Sequence, residues 1–420
     1  MGKITEKKWY PWLVVVLLSG VAFLNYMDRQ MLSTMRFHMA EDIIEVAESY
    51  TGPWGWGALM AAFMWIYGLM SPISGTIADR VNRKNLIVGS LFVWSAVTFL
   101  MGYVDTYWEL YALRAVMGFS EALYIPAALS LIADIHSGKT RSTAIGIHMT
   151  GLYLGQVAGG FGSIFSEQMS SWQTVFLACG LIGMVYSVVL IALVKDPGRE
   201  KSAKSTKDPN QPSVFKSISL VLSNMAFWAV LFVFTTLSMP GWATKNWLPE
   251  LVARVIAGSF GLDPKEAMHY AGPTAVICLA GASFIGAMIG ARISDKWVQK
   301  NVRGRVLTSC IGLALIVPSL IFMGLGDSLV AVVLAILCFG IGYGFFDTNT
   351  MPILCQFVPS RQRATAYGFI NMSGVLGGAA ITTALGNLSL GTGFALLGGV
   401  TVLSLLIEFF ALRPKTVNME

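Results

Sequence analysis

Charge is scarce in this sequence. Only 12% of its 420 residues are Asp, Glu, Lys or Arg, about half the share of an ordinary soluble domain. A chain of this size with so few polar groups cannot cover a water-soluble surface. Cysteine is also sparse. The five present, Cys179, Cys278, Cys310, Cys338 and Cys355, fall in apolar stretches with no CxxC or Cys/His spacing. That excludes a zinc cluster or a disulfide framework and leaves small packing residues. The loops hold no phosphate-cradling glycine motif and no nucleophile–base pattern, so nothing points to an enzyme, a metal site or an organic cofactor. A net charge of +6 would suit nucleic acid, but the basic residues sit in alternate short loops, so no nucleic-acid partner is expected.

What the chain has instead is long apolar runs. Hydrophobic residues make up 55% of it. Runs of about 20 residues, each able to cross the hydrocarbon core as a helix, recur twelve times. They lie at roughly 11–32, 56–77, 86–104, 108–134, 142–165, 174–194, 222–248, 271–292, 306–326, 328–356, 364–386 and 391–412. The first, with no small-residue cleavage site, reads as an uncleaved helix. Between the sixth and seventh, residues 195–216 are polar, Lys-rich and interrupted by Pro, the composition of a flexible linker. The expected organisation is an all-α membrane protein with a six-helix bundle at 1–194, a cytoplasmic linker at 195–221 and a second bundle at 222–420.

Lys and Arg orient the spans. If the N-terminus is cytoplasmic, only Arg36, Arg254 and Lys265 fall in the outer segments. The inner loops hold nearly all the rest, which predicts cytoplasmic termini. The compact loops suggest a bacterial inner membrane, with the protein acting as a monomer in the lipid bilayer. The first outer loop, 33–55, places Glu41, Asp42, Glu45 and Glu48 around Ile43, Ile44 and Val46, a pattern that predicts an amphipathic helix at the interface. The segment 249–270, opened by Pro249, reads the same way.

The chain also repeats itself. In span four, Glu121 follows Gly118 by three residues and Pro126 follows it by eight; in span ten, Asp347 and Pro352 stand at the same distances from Gly344. Arg141-Ser-Thr-Ala144 then matches Arg363-Ala-Thr-Ala366, and His148-Met-Thr-Gly151 matches Asn371-Met-Ser-Gly374. Two related six-helix halves suit a transporter that rocks about a midplane site. A receptor or scaffold would leave the matched acids unexplained.

These residues carry a family resemblance. Gly75-Thr-Ile-Ala-Asp79-Arg80-Val-Asn82-Arg83-Lys84 resembles the GxxxDRxGRR signature of the major facilitator superfamily, and Ala291-Arg-Ile-Ser-Asp295-Lys296 is a weaker copy after span eight. Asn82 stands where Gly is usual, at a turn that Asn also adopts. Asn25-Tyr-Met-Asp28-Arg29 and Arg114-Ala-Val-Met-Gly118-Phe-Ser-Glu121-Ala are similar to the anion:cation symporters, which include hexuronate, galactonate and sialic-acid carriers. They are also similar to the spinster-like branch, some of whose members handle lipid-like substrates.

Charges inside spans are costly, so they persist with a partner or a function. Asn25, Asp28 and Arg29 share one helical face, as do Arg114, Gly118 and Glu121. A carboxyl in low dielectric favours its neutral form, which suits a group that binds and releases protons. The resemblance implies Asp28 and Glu121 as proton carriers and Arg29 as the anion's contact. Asp347 is a third proton candidate, or an acid bonded to its neighbours. Arg114 is expected to pair with Asp28 or Glu121. Lys245 either snorkels to the interface or supplies a second cation. Asn25, Arg114, Tyr26, Tyr67, Tyr124, Tyr153, Gln156, His148, Asn349 and Asn371 are candidate substrate contacts. Gly75, Asp79, Arg80 and Arg83 are expected to latch the cytoplasmic ends of the two halves in the outward-open state, and the stripe Gly151, Gly155 and Gly159 to lie where the halves meet. The predicted activity is proton-coupled import of a small organic anion, most simply an acidic sugar, with a proton gradient as the only cofactor. The rival reading is a carrier of amphiphilic lipids.

Overall fold

A computed structural model of the protein describes residues 9–47, 50, 54–136, 138–195, 214–359 and 362–416. Among them every regular element is helical. Twelve long segments follow the apolar runs: α1 (Tyr10–Thr34), α2 (Trp56–Arg80), α3 (Arg83–Met101), α4 (Tyr107–Ile135), α5 (Gly138–Gly159), α6 (Trp172–Leu193), α7 (Met225–Phe260), α8 (Pro264–Val298), α9 (Gly304–Leu325), α10 (Leu329–Phe357), α11 (Arg363–Leu385) and α12 (Leu390–Ala411). Among the described residues, eleven helices are long and apolar enough to span a bilayer by composition; α5, with its polar Lys139-Thr-Arg141-Ser start, is the other long one. Faces such as Leu181, Ile182, Val185 and Val188 of α6 stay exposed, as lipid-facing side chains do, while helical hydrogen bonds satisfy most of the backbone internally.

The chain divides into two compact units, Met1–Thr206 and Lys207–Glu420. Each unit pairs its helices in the same way. In the first, α1 packs on α5, α2 on α4, and α3 on α6; in the second, α7 packs on α11, α8 on α10, and α9 on α12. The internal repeat of the sequence is thus a repeat of packing. It extends to single atoms. Arg141 donates from Nε to the carbonyl of His136 and from Nη2 to that of Ala133, at 3.3 and 2.8 Å. Arg363 donates from the same atoms to Val358 and Cys355, at 3.2 and 3.3 Å. Each arginine therefore reaches back five and eight residues to carbonyls at the end of the preceding helix, where acceptors would otherwise be orphaned.

Glycines set how closely the paired helices approach. A Cβ on Gly118 would strike the backbone of α2 at Phe63 and Tyr67, and one on Gly344 would strike α8 at Ser283 and Ala287. Gly151, Gly155 and Gly159 lie against Ser19, Phe23 and Met27–Gln30 of α1. That corrects the expectation that this stripe lies where the halves meet: it seals α5 to α1 inside the first unit.

Three other expectations are revised. The segment 249–270 is no interfacial helix, because α7 continues through Pro240 and Pro249 to Phe260. It stops at Gly261, whose φ of 67° suits a residue without Cβ. Asp263 then caps α8 by accepting from the Lys265 N–H at 3.0 Å, with Pro264 in the first turn. The loop 33–55 also forms no continuous helix; it holds one helical turn, Arg36–Met39, and a 3₁₀ turn, Ile44–Val46. Tertiary bonds override its period: Asp42 accepts from Trp172 and Gln173 of α6, at 2.7 and 3.0 Å, and buried Arg36 donates to the Val46 carbonyl at 3.1 Å. Finally, α4 is broken at Leu123, between Tyr107–Ala122 and Tyr124–Ile135. Pro126 lacks the N–H that would bond Ala122 and crowds that carbonyl. The matching Pro352 leaves α10 unbroken.

Candidate functional site

The interior of the first unit gathers the charges of α1 and α4. Asp28, Arg114 and Glu121 are 4%, 3% and 0% exposed, a burial that charged residues tolerate only when paired or functional. Arg29 donates from Nε to Glu121 Oε2 at 2.5 Å, a charge-assisted bond at the short end of the range. Asn25, wholly buried, sits against the same carboxylate. The backbone break at Leu123 follows two residues after Glu121, so the acid stands at the end of a rigid helical segment.

Aromatic rings complete the surroundings. The Arg29 guanidinium carbon lies 5.0 Å from the Tyr26 ring centre, 4.6 Å from Phe63 and 4.8 Å from Tyr67. These are cation–π distances. Phe63 and Tyr67 stack on each other at 5.4 Å. Arg114 lies 5.1 Å from the same Phe63 ring.

Arg114 forms no salt bridge with Asp28 or Glu121, against expectation. It donates from Nη1 to Met117 Sδ at 3.5 Å, and its charge acts on both acids through space. Asp28 lies beside Thr98 of α3, whose hydroxyl proton is shared between Asp28 Oδ2 at 3.3 Å and the Trp94 carbonyl at 3.0 Å. Two acids and two arginines therefore share one low-dielectric interior, where Coulomb interactions are strong. Adding a proton or an anion to such a set redistributes its pairings.

Other candidates fall around this cluster or away from it. Tyr124 is buried, and its hydroxyl donates to the Leu18 carbonyl of α1 at 2.7 Å, so its polar end is spent on helix packing. His148 is buried with its ring 5.9 Å from that of Tyr124. Tyr153 lies near enough to act on Tyr26; Tyr153 and Gln156 are half-buried on α5.

In the second unit, Asp347 is exposed on α10, whereas its sequence counterpart Glu121 is buried. Lys245 turns toward α10, with Nζ 5.2 Å from Trp242 and 5.6 Å from Tyr343, and its charge acts on Asp347. Asn371 is half-buried on α11. Asn349, expected as a substrate contact, is 1% exposed; its Oδ1 accepts from Ser294 at 2.5 Å and its Nδ2 donates to the Phe345 carbonyl at 2.7 Å. Both ends of the amide brace α10 and α8.

Arg83, expected in the latch, is buried and forms an ion pair with Asp134 near the C-terminal end of α4, within its own unit. The side chains of Gly75, Asp79 and Arg80 lie outside the described residues. Glu408 is wholly buried on α12.

Sequence reasoning missed Phe63, Thr98 and Met117. Phe63 had a signal, since it precedes Tyr67 by one helical turn; Thr98 had none, because its role depends on how α3 meets α1.

The model of the "Major Facilitator Superfamily" matches residues 18–382 of this chain. The chain is 26% identical to the sphingosine-1-phosphate transporter SPNS2 of Xenopus tropicalis, over 96% of this chain and 83% of that protein. It is 25% identical to the D-galactonate transporter of Escherichia coli O6:H1, over 91% of this chain and 90% of that one. Against protein spinster homolog 1 of Xenopus tropicalis the identity is 26%, and the match covers 73% of this chain but only 59% of that protein. In three dimensions the chain resembles a bacterial homologue of the human lysosomal transporter Spinster, with a TM-score of 0.70, 20% identity and 96% of each chain covered. A match over most of the chain, joined to the paired helices of its two units, places the protein in one family: it belongs to the Major Facilitator Superfamily.

Proposed function

We propose that the protein is a secondary active transporter that carries a small organic anion together with protons, an acidic sugar being the simplest substrate. The observation that carries this reading is the buried Arg29–Glu121 pair with Asp28 and Arg114 beside it. A proton on Glu121 releases Arg29, and the freed guanidinium is a fork for a carboxylate. Deprotonation restores the pair and expels the anion. Coupling anion to proton in this way lets a pH gradient drive accumulation. Asp28 is the second proton carrier and Asp347 a third; Lys245 supplies positive charge in the second unit. The protein works as a monomer in a bacterial inner membrane, with both termini cytoplasmic. Similarity to a D-galactonate transporter supports the sugar-acid substrate.

Similarity to the sphingosine-1-phosphate transporter and to spinster proteins favours a second reading, in which the substrate is an amphiphilic lipid with an anionic head. Arg29 serves either anion, so the substrate's apolar part decides between them. The test is uptake into proteoliposomes under an imposed pH gradient, with D-galactonate and a lysophospholipid as the two probes. The first reading requires gradient-driven D-galactonate uptake that Glu121→Gln abolishes while counterflow persists. Lysophospholipid uptake alone would replace it with the second, and gradient-driven uptake undiminished in Glu121→Gln would remove the proton role.

A further inference from the structure

We propose that Tyr26, Phe63 and Tyr67 form an aromatic cage that keeps the Arg29 guanidinium in place while Glu121 gains and loses its proton. The inference rests on the proton-coupled reading only for its effect on transport; the cage itself is a property of the folded protein.

The physical problem is what holds Arg29 when Glu121 is neutral. The arginine stays charged under all working conditions. Its ionic bond among the described residues, to Glu121 Oε2, weakens once that carboxylate is protonated. A buried cation left without a counter-charge is costly, and a long side chain set free would lose its orientation. The three rings answer this. Their centres lie 4.6–5.0 Å from the guanidinium carbon, and aromatic faces attract cations most strongly where water is excluded.

The rings are themselves held. Tyr26 is on α1, three residues before Arg29 and on its face. Phe63, 2% exposed, is stacked on Tyr67, and its backbone lies directly against Gly118 of α4. A side chain at position 118 would push α2 and its rings away from the cluster. Phe63 also faces Arg114 at 5.1 Å, so one ring ties the positions of both cations. Phe63 is thus a positioning residue. The cage presents Arg29 to an incoming anion without the entropy loss of fixing it at the moment of binding.

The experiment is a double-mutant cycle on the purified full-length protein, read first as thermal stability in detergent. Glu121→Gln removes the charge and Phe63→Leu removes the ring while keeping an apolar side chain. If both hold Arg29, the loss of melting temperature in the double variant exceeds the sum of the two single losses. In a Phe63→Tyr background, which keeps the π face, Glu121→Gln costs the same melting temperature as it does in the wild type. The second reading is D-galactonate binding: Phe63→Leu weakens it by about two- to thirtyfold, the range of one cation–π contact, and Phe63→Tyr does not. Additive stability losses, or Phe63→Tyr behaving as Phe63→Leu does, would overturn the cage. If the Leu variant fails to fold, Tyr67→Leu against Tyr67→Phe repeats the cycle. A wild-type protein that binds no D-galactonate overturns the sugar-acid reading, and the stability cycle still decides the cage.

Discussion

The seal between α5 and α1 makes a prediction whose sign differs between two glycines of one helix. A Cβ added at Gly155 would meet the backbone of Phe23, with its carbonyl carbon at 2.9 Å and its Cα at 3.0 Å. Carbon atoms prefer about 3.5–4.0 Å, so α1 must retreat by most of an ångström, and backbone cannot swing aside as a side chain can. Overpacking of this kind costs about 1–3 kcal/mol. Alanine recovers up to about 1 kcal/mol of helix propensity, which leaves Gly155→Ala destabilised by up to about 2 kcal/mol. Gly146, nine residues earlier on α5, has nothing within 4 Å of such a Cβ. Gly146→Ala therefore keeps the propensity gain without the clash and is neutral or stabilising. Melting in detergent measures both; at roughly 2–4 °C per kcal/mol for a unit of about 200 residues, Gly155→Ala melts several degrees below Gly146→Ala. Because α1 carries Asp28 and Arg29, uptake should fall with Gly155→Ala and not with Gly146→Ala. Equal melting temperatures for the two variants would show that α1 and α5 are not in backbone contact.

Three further outcomes follow from named bonds. Thr98→Val removes one hydroxyl bond to Asp28, so substrate-coupled proton uptake weakens by no more than about tenfold, the usual worth of such a bond, whereas Asp28→Asn abolishes it; pH-electrode recordings of proteoliposomes separate the two. Asn349→Leu leaves Ser294 without its acceptor in a buried interface, costing about 1–3 kcal/mol of stability with an unchanged KM; a raised KM would return Asn349 to the substrate contacts. Arg141→Met and Arg363→Met each strip two bonds from a helix end and should lower the melting temperature by similar amounts; a large difference would mean that the repeat is one of sequence only.

Much of the fold was legible because the bilayer imposes it. Twelve apolar runs of sufficient length, alternating basic loops and a polar segment at mid-chain leave few alternatives once backbone polar groups must be satisfied within each span. Boundaries were less legible where punctuation competes. Pro249 reads as a stop, but a proline costs a long helix only one bond and a bend, and α7 ends instead at Gly261, where the backbone turns left-handed. The loop at 33–55 shows the opposite failure, a helical period cancelled by the tertiary bonds of Asp42 and Arg36.

By itself the sequence determined that charges at Asp28, Arg29, Arg114 and Glu121 stand inside apolar helices, since hydrocarbon makes any such charge conspicuous wherever it lies. It determined the internal repeat for the same reason that it determined the family: both are statements about order along one chain. Only tertiary structure decided which charges pair, because pairing depends on helix rotation and approach that no spacing along one helix contains. Glycines 118, 151, 155 and 159 set those approaches. With them fixed, Glu121 meets Arg29 and Arg114 does not, Phe63 stands beside both cations, Asn349 turns inward to Ser294, and the sequence twins Glu121 and Asp347 end with opposite exposure.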